Sequence, residues 1–149
     1  MLNHADVVDA FVAAVVRVMR MSMNEEVQRV TTHYAPDVDP PPSFRVSIEL
    51  TGSLRGPVRW SFSRGLARSV AESMLMGEAA EEYYQGAVAE LANMVLGSAA
   101  GDLERAGYLV SLRPPSPAEA RRAGNNALVL DIESASGEMK LLFDLEEAA

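Results

Sequence analysis

The chain has 149 residues, of which 48% are hydrophobic, and a formal net charge of −8 at pH 7. This length and hydrophobic content predict a single domain over residues 1–149 with a substantial core of its own. An acidic chain without a long run of Lys and Arg lacks the chemistry that binds phosphate backbones, so we exclude nucleic acid as a partner. Because cysteine is absent, disulfides, thiolate metal ligands and cysteine nucleophiles are excluded as well.

The sequence contains no segment typical of membrane insertion or secretion. No stretch approaches about eighteen consecutive apolar residues, and residues 1–6 do not form the basic start of a signal peptide. We therefore expect a soluble, cytoplasmic protein without a membrane partner.

The first third of the chain predicts a helix and an edge strand. Apolar residues recur at three- and four-residue steps from residue 5 to about residue 20, which indicates an amphipathic helix. Residues 25–34 are rich in β-branched types and predict a short edge strand. Prolines 40 to 42 make residues 36–43 a stiff, extended linker.

The middle of the chain predicts a hairpin followed by a helix. Residues 44–51 and 58–62 alternate between apolar and polar types, and residues 52–57 carry turn formers that join the two strands. Ser63 is expected to cap a second helix, which Gly77 stops. The apolar stripe of that helix is expected to contain Leu66, Ala67, Val70, Met74 and Leu75.

The remaining elements complete an α+β fold. A long third helix is predicted from about residue 79 to 105, and a strand over residues 108–112 ends at the prolines that follow. Alternation over residues 128–132 and 139–145, around a turn at 134–137, predicts a closing hairpin. We expect three helices packed on one face of a mostly antiparallel sheet of five or six strands.

The third predicted helix has an outward face of glycine and two polar residues. At about 100° per residue, five positions fall in one stripe about 80° wide, opposite an apolar stripe. These positions are Gly86, Glu90, Asn93, Gly97 and Gly101. Each glycine inside a helix costs on the order of 1 kcal/mol relative to alanine. Three aligned glycines therefore predict a low surface against which another molecule lies.

The run from Glu90 through Asn93 to Gly97 resembles the signature of the CheC/CheX family of chemotaxis phosphatases. In that signature an acidic residue is followed three positions later by asparagine and four further on by glycine. The order of the predicted elements is similar over most of the chain, so the resemblance implies a CheX-like fold. The first predicted helix has no Glu-x-x-Asn, which resembles the CheX branch and implies one site per chain.

The resemblance implies an activity and a role for each signature residue. The substrate would be the aspartyl phosphate of a CheY-like response regulator, with magnesium held by the regulator and no cofactor in this chain. Catalytic Asn93 would position the attacking water, and catalytic Glu90 would dock the partner by pairing with a lysine beside the phosphoryl group. Gly86, Gly97 and Gly101 would form the partner-binding surface. The CheX branch also implies a homodimer built through the sheet.

Gly86 departs from the family pattern, which places Asp or Ser four residues before the glutamate. Two alternatives to catalysis stay open. The first is a non-enzymatic module that binds or sequesters a phosphorylated response regulator, which Gly86 favours. The second is a structural dimerisation or adaptor domain, in which the glycine stripe packs against a second copy of the chain.

Other residues with reactive or polarisable side chains are expected to have structural roles. His4 and His33, the two histidines, lie in different segments without metal-ligand spacing, so we expect them at the surface or at caps. Asp102 and Glu104 are expected at a solvated helix end. Core positions are expected for Trp60 and for Met19, Met21, Met23, Met74 and Met76.

Overall fold

The structure is a computed structural model and describes residues 4–35, 43–114, 116–117 and 127–147. In these ranges the chain forms three α-helices, one 3₁₀ turn and eight strands. The helices are α1 (His4–Met23), α2 (Arg64–Leu75) and α3 (Tyr84–Arg105), and the 3₁₀ turn is Glu81–Tyr83. The strands are β1 (Val27–Ala35), β2 (Ser43–Gly52), β3 (Leu54–Ser63), β4 (Val110–Leu112), β5 (Ser116–Pro117), β6 (Ala127–Ser134), β7 (Gly137–Phe143) and β8 (Glu146–Glu147).

Six of these strands form an antiparallel sheet in the order β1-β6-β7-β3-β2-β4. The two-residue strands β5 and β8 extend the sheet beside β2 and β3. The α+β fold, with three helices and a six-stranded antiparallel sheet, is confirmed. None of the helices in the described ranges is long and apolar enough to cross a membrane.

The core lies between the three helices and one face of the sheet. Alternate side chains of β2 and β3, such as Ile48 and Val58, point toward the helices and are fully buried. Trp60 is 2% exposed and stacks on Phe62 with ring centroids 6.0 Å apart, so its predicted core position is confirmed. Phe11 of α1 meets Phe143 of β7 edge to face at 4.8 Å, which joins helix and sheet.

The predicted β2–β3 hairpin is confirmed, but its turn is shorter than expected. Leu54 to Pro57 belong to β3 rather than to the turn, and Ser53 alone separates the two strands. The pairing of β2 with β3 stops at Leu50 and Gly56, and beyond it the end of β2 pairs with β4 and the start of β3 pairs with β8. Gly52, with a φ of +103°, reverses the chain at this point.

Helix α2 begins as predicted and ends just before Gly77 as predicted, but its last turn is not buried. The Ser63 hydroxyl accepts a hydrogen bond from Leu66 N at 3.3 Å and caps the helix. Met74 and Leu75 were expected in the buried stripe, yet they are 38% and 51% exposed. The buried residues of α2 end at Ala71, so the last turn extends beyond the part of the helix that the core covers.

The predicted core position of the methionines is correct for two of the five. Met19 is fully buried and Met23 packs partly against the core. Met21 and Met76 are 86% and 92% exposed, and Met74 is exposed as well, so the prediction is wrong for these three. Methionine is a hydrophobic residue type that favours burial, but Met21, Met74 and Met76 are exposed because they lie at the ends of α1 and α2.

Several boundaries also differ from the prediction. The α-helical part of α3 starts at Tyr84, because the residues before it form the 3₁₀ turn. Strand β4 starts at Val110, two residues later than expected, and β7 ends at Phe143, before Leu145. The predicted linker over residues 36–43 falls outside the described residues except for Ser43, which is the first residue of β2.

Candidate functional site

Helix α3 presents the candidate site because its opposite side is buried. The buried residues of the helix are Tyr84, Ala87, Val88, Leu91, Ala92, Val95, Leu96, Ala99 and Leu103. This burial fixes which side faces outward, and Gly86, Glu90, Asn93 and Gly97 are all exposed there, with Gly101 partly exposed. The structure thus places the five predicted residues together on one helix face. We call this face the signature face.

Glu90 and Asn93 have free functional groups on the signature face. They lie about one turn apart, or roughly 4.5 Å along the helix axis. In the described part of the chain neither side chain makes a hydrogen bond or an ion pair. The carboxylate offers only acceptors, whereas the carboxamide offers both donors and acceptors. The pair is therefore available to bind a partner and a water molecule at the same time.

The glycines of the signature face are not required by packing against the residues that the structure describes. A Cβ added at Gly86 or Gly97 would meet nothing within 4 Å, and one at Gly101 would meet only Arg105 Nη1 at 4.0 Å. None of the three has a positive φ. Neither the available space nor the backbone conformation requires glycine at these positions. Each glycine therefore lowers the stability of the helix, and no contact within the described residues offsets this loss.

Arg17 of α1 holds the C-terminal half of α3. Its guanidinium donates to Ser98 Oγ at 2.8 and 3.1 Å and to Asp102 Oδ2 at 2.8 Å. Arg105 donates to the other oxygen of the same carboxylate. Asp102 was expected at a solvated helix end, but its side chain is only 16% exposed and is paired with both arginines. Glu104, by contrast, is exposed as expected.

Arg64 at the start of α2 holds the N-terminal end of α3. Its guanidinium forms an ion pair with Glu81 in the 3₁₀ turn and lies 5.9 Å from the ring centroid of Tyr84. The hydrogen bond from Arg64 holds the pKa of Glu81 below its usual value, and the charge of Arg64 acts in the same direction. On the sheet side, Gln85 Nε2 donates to the Arg45 carbonyl at 2.7 Å. Both ends of α3 are thus attached to neighbouring elements.

These attachments were not found by the sequence reasoning. Arg17 is 81 residues from Ser98 and 85 from Asp102, and Arg64 is 17 residues from Glu81. No local spacing pattern links residues that far apart. Only the packing of α1 and α2 against α3 brings them together.

His33 takes no part in the signature face. His33 lies on β1, where Nε2 is 2.5 Å from Asp131 Oδ2, and its side chain is 42% exposed, so the predicted surface position is confirmed. The side chain of His4 lies outside what the structure describes. Among the described residues, no three His, Asp or Glu side chains come close enough together to hold a metal ion.

The fold is that of CheX- and CheC-like proteins. A CheC-like superfamily protein from Shewanella sp. PV-4 superposes with a TM-score of 0.80 at 20% identity, covering 97% of this chain and 99% of that one. The chemotaxis protein CheX of Vibrio vulnificus superposes with a TM-score of 0.79 at 21% identity, covering 94% and 99%. A third match is the structure of a CheX–CheY–BeF₃–Mg²⁺ complex from Borrelia burgdorferi, with a TM-score of 0.70 at 19% identity, covering 94% and 97%.

The sequence agrees with this structural class. The family model described as chemotaxis phosphatase CheX matches residues 44–127, which include the signature face. The chain belongs to the CheX family. A relative named CheY-P phosphatase CheX, from Thermotoga maritima, is 28% identical over 120 residues, covering 78% of this chain and 77% of that protein. The resemblance carried by Glu90, Asn93 and Gly97 is thereby confirmed at the level of the family.

Replacing Gly97 by alanine tests whether this glycine serves the fold. Because a Cβ there meets nothing within 4 Å, we expect Gly97→Ala to raise the free energy of unfolding by about 0.5–1 kcal/mol. Denaturant unfolding measures the change. The control is Gly137→Ala, because Gly137 has a φ of +149° and a Cβ there would lie 2.9 Å from Leu66 N. This control should be destabilised by more than about 1 kcal/mol. A loss of stability in Gly97→Ala would show that the fold itself requires the glycine.

Replacing Arg64 tests the attachment of the 3₁₀ turn to α2. Without the Arg64 hydrogen bond and charge, the pKa of Glu81 should rise toward its usual value in Arg64→Gln. A lowered pKa in the folded state stabilises the fold at pH values above the pKa of the unfolded chain. That contribution is lost as the pH falls through the folded-state pKa.

An NMR titration of the Glu81 carboxyl carbon measures this pKa. Arg68→Gln is the matched control, since Arg68 lies on the same helix and pairs with Glu72 instead. An unchanged Glu81 titration in Arg64→Gln would contradict the assignment.

Proposed function

We propose that this protein hydrolyses the aspartyl phosphate of a CheY-like response regulator. The observation that carries the proposal is the free Glu90–Asn93 pair on the exposed face of α3, in a chain of the CheX family. The opposite face of this helix is buried, and both of its ends are attached to neighbouring elements. The name of the Thermotoga maritima relative, CheY-P phosphatase, supports the reaction. The Borrelia burgdorferi complex of CheX with CheY, BeF₃ and Mg²⁺ supports the kind of partner.

The reaction does not require the catalyst to form a covalent bond with the substrate. An aspartyl phosphate is a reactive acyl phosphate, so the main requirement is a water held in line with the bond that breaks. Asn93 suits this task because its carboxamide both donates and accepts hydrogen bonds and does not titrate. In the proposed complex the carboxamide holds the attacking water against the phosphorus atom. The water oxygen bonds to phosphorus as the bond to the aspartyl oxygen breaks, releasing phosphate and the free carboxylate.

Glu90 is proposed to dock the partner. Its ionised carboxylate accepts charge-assisted hydrogen bonds and suits a lysine ammonium next to the phosphoryl group. Such a pair aligns the partner and offsets the charge of the lysine when Asn93 approaches. Gly86, Gly97 and Gly101 would keep the surface low enough for both side chains to enter the cleft of the regulator. We place the magnesium ion on the regulator and no cofactor on this chain.

The proposal also includes the localisation, domain organisation and oligomeric state of the protein. We propose a cytoplasmic, single-domain protein that forms a homodimer through the sheet. β1 and β4 lie at the two ends of the strand order in the described residues, so each offers an edge for such a contact.

A second candidate function is sequestration of the phosphorylated regulator without catalysis. The observation that favours it is the open space at Gly86, where a Cβ would meet nothing within 4 Å. An Asp or Ser at this position would lie one turn before Glu90 and could orient its carboxylate. Its absence leaves Glu90 without that support.

Asn93→Ala tests the proposed water-positioning role. We expect the decay of a phosphorylated CheY-like regulator from the same organism, with magnesium, to be accelerated by the wild-type protein. This acceleration should fall roughly 100-fold or more in Asn93→Ala, because the attacking water loses its position. Binding of the regulator trapped with beryllofluoride should be largely preserved.

The control for this experiment is Gln28→Ala, which removes an exposed carboxamide from β1 rather than from the signature face. It should leave the decay rate unchanged. If Asn93→Ala matches the wild type, the water-positioning role is wrong.

Gly86→Asp separates the two candidate functions. If the natural protein only sequesters the regulator, the wild type should bind without accelerating decay, and Gly86→Asp should gain acceleration. If the natural protein is a phosphatase, the wild type already accelerates decay and Gly86→Asp changes the rate only modestly. Decay time courses of both proteins with the same phosphorylated regulator measure the difference.

A further inference from the structure

Exposed apolar side chains are concentrated beside the N-terminal end of the signature face. Leu75 of α2 and Tyr83 before α3 are 51% and 53% exposed, and Met74 is 38% exposed. With Ala71, Glu82, Gly86 and Ala87, these side chains line a groove of about 280 Å³ between the two helices. Gly86 belongs both to the groove and to the signature face, so the two surfaces are continuous.

Three further methionines extend this exposed surface. Met76 directly follows α2, and Met94 lies on α3 next to Asn93, with exposures of 92% and 36%. Met21, four residues after Arg17, lies on the side of α1 that faces α3. The ends of α1 and α2 meet where Ser73 Oγ donates to the Ser22 carbonyl at 2.8 Å. We call the following six residues the methionine surface: Met21, Met74, Leu75, Met76, Tyr83 and Met94.

The composition of the methionine surface is typical of a binding site. Clustered exposed apolar side chains are unfavourable in water and mark interaction surfaces. Methionine is unbranched and polarisable, so it adapts to the shape of a partner. Met76 also has a φ of +56°, the left-handed conformation in which glycine is usual at helix ends, although Gly77 is the next residue. The large side chain at this position is thus not explained by the helix end.

The charges around the groove indicate the chemistry of the partner. Glu82 lines the groove. Glu78 is exposed in the segment that joins α2 to the 3₁₀ turn, and Glu90 lies one turn beyond Gly86 on α3. Among the described residues, none of those that line the groove is Arg or Lys. A complementary partner therefore presents an apolar side chain flanked by basic groups.

We propose that the methionine surface is the docking surface for the receiver domain of the phosphorylated regulator. The receiver domain inserts an apolar side chain between α2 and α3 and sets a basic side chain against Glu82. This contact holds its aspartyl phosphate over Glu90 and Asn93. The inference rests on the proposed function, because the continuity through Gly86 ties both surfaces to one partner.

Steady-state kinetics with the double variant Leu75→Gln, Met76→Gln tests the docking surface. Both side chains are exposed, so far-UV circular dichroism and the unfolding midpoint should match those of the wild type. We expect KM for the phosphorylated receiver domain to rise at least tenfold with kcat nearly unchanged, because only docking is weakened. Asn93→Ala should show the opposite pattern, with kcat reduced and binding kept.

Leu109→Gln is the matched control, because Leu109 is 64% exposed and lies beyond the opposite end of α3. It should leave KM and kcat unchanged. Glu82→Lys should raise KM most strongly at low ionic strength, since it reverses the charge that faces the basic side chain. A wild-type KM in the double variant, or an equal rise in Leu109→Gln, would overturn the docking surface.

Two further results are separable from these. If the wild-type protein neither binds the beryllofluoride-trapped receiver domain nor accelerates decay, the proposed function itself fails. If light scattering of the protein alone shows self-association that the double variant abolishes, the methionine surface is occupied by a second copy of the chain and the receiver-domain assignment is overturned.

Discussion

The structure depends on the burial of one side of α3 against the sheet and the other two helices. Leu91, Val95 and Leu103 are fully buried, so rotation of the helix about its axis would expose them to water. Because rotation is prevented in this way, Glu90 and Asn93 must project into solvent. Arg17 and Arg64 then fix the two ends of the helix through Asp102 and Glu81. The position of the polar pair is thus determined by apolar packing and by ion pairs elsewhere.

The sequence predicted the parts of the fold and site that depend on local periodicity. The signature face follows from 3.6 residues per turn, and the paired strands follow from their alternation, so both could be read without knowledge of the packing. The contacts of Arg17 could not be predicted in this way, because Ser98 and Asp102 lie 81 and 85 positions further along the chain. For the same reason the sequence predicts a solvated position for Asp102, although its carboxylate is paired with two arginines. The family resemblance added the roles that we propose for Glu90 and Asn93, which periodicity alone does not supply.

The exposed methionines show a different limit of sequence reasoning. Hydrophobic type predicts burial on average, but it does not say where the covering elements end. Met74 and Met76 lie past the last buried residue of α2, and Met21 lies near the end of α1. Their exposure is visible only once the helices are placed on the sheet. Met74, which the core leaves exposed, lines the groove between α2 and α3 together with Gly86, where we propose that the partner docks.

The position of Trp60 has a spectroscopic consequence. It is the only tryptophan of the chain and is 2% exposed, on a central strand beneath the helices. Its indole emission reports the integrity of the core and is shielded from molecules that touch the helix face. Intrinsic fluorescence therefore separates loss of folding from loss of binding in a single cuvette. A fluorophore that reports binding has to be introduced on the helix side, and Trp60 then serves as the internal reference for an intact fold.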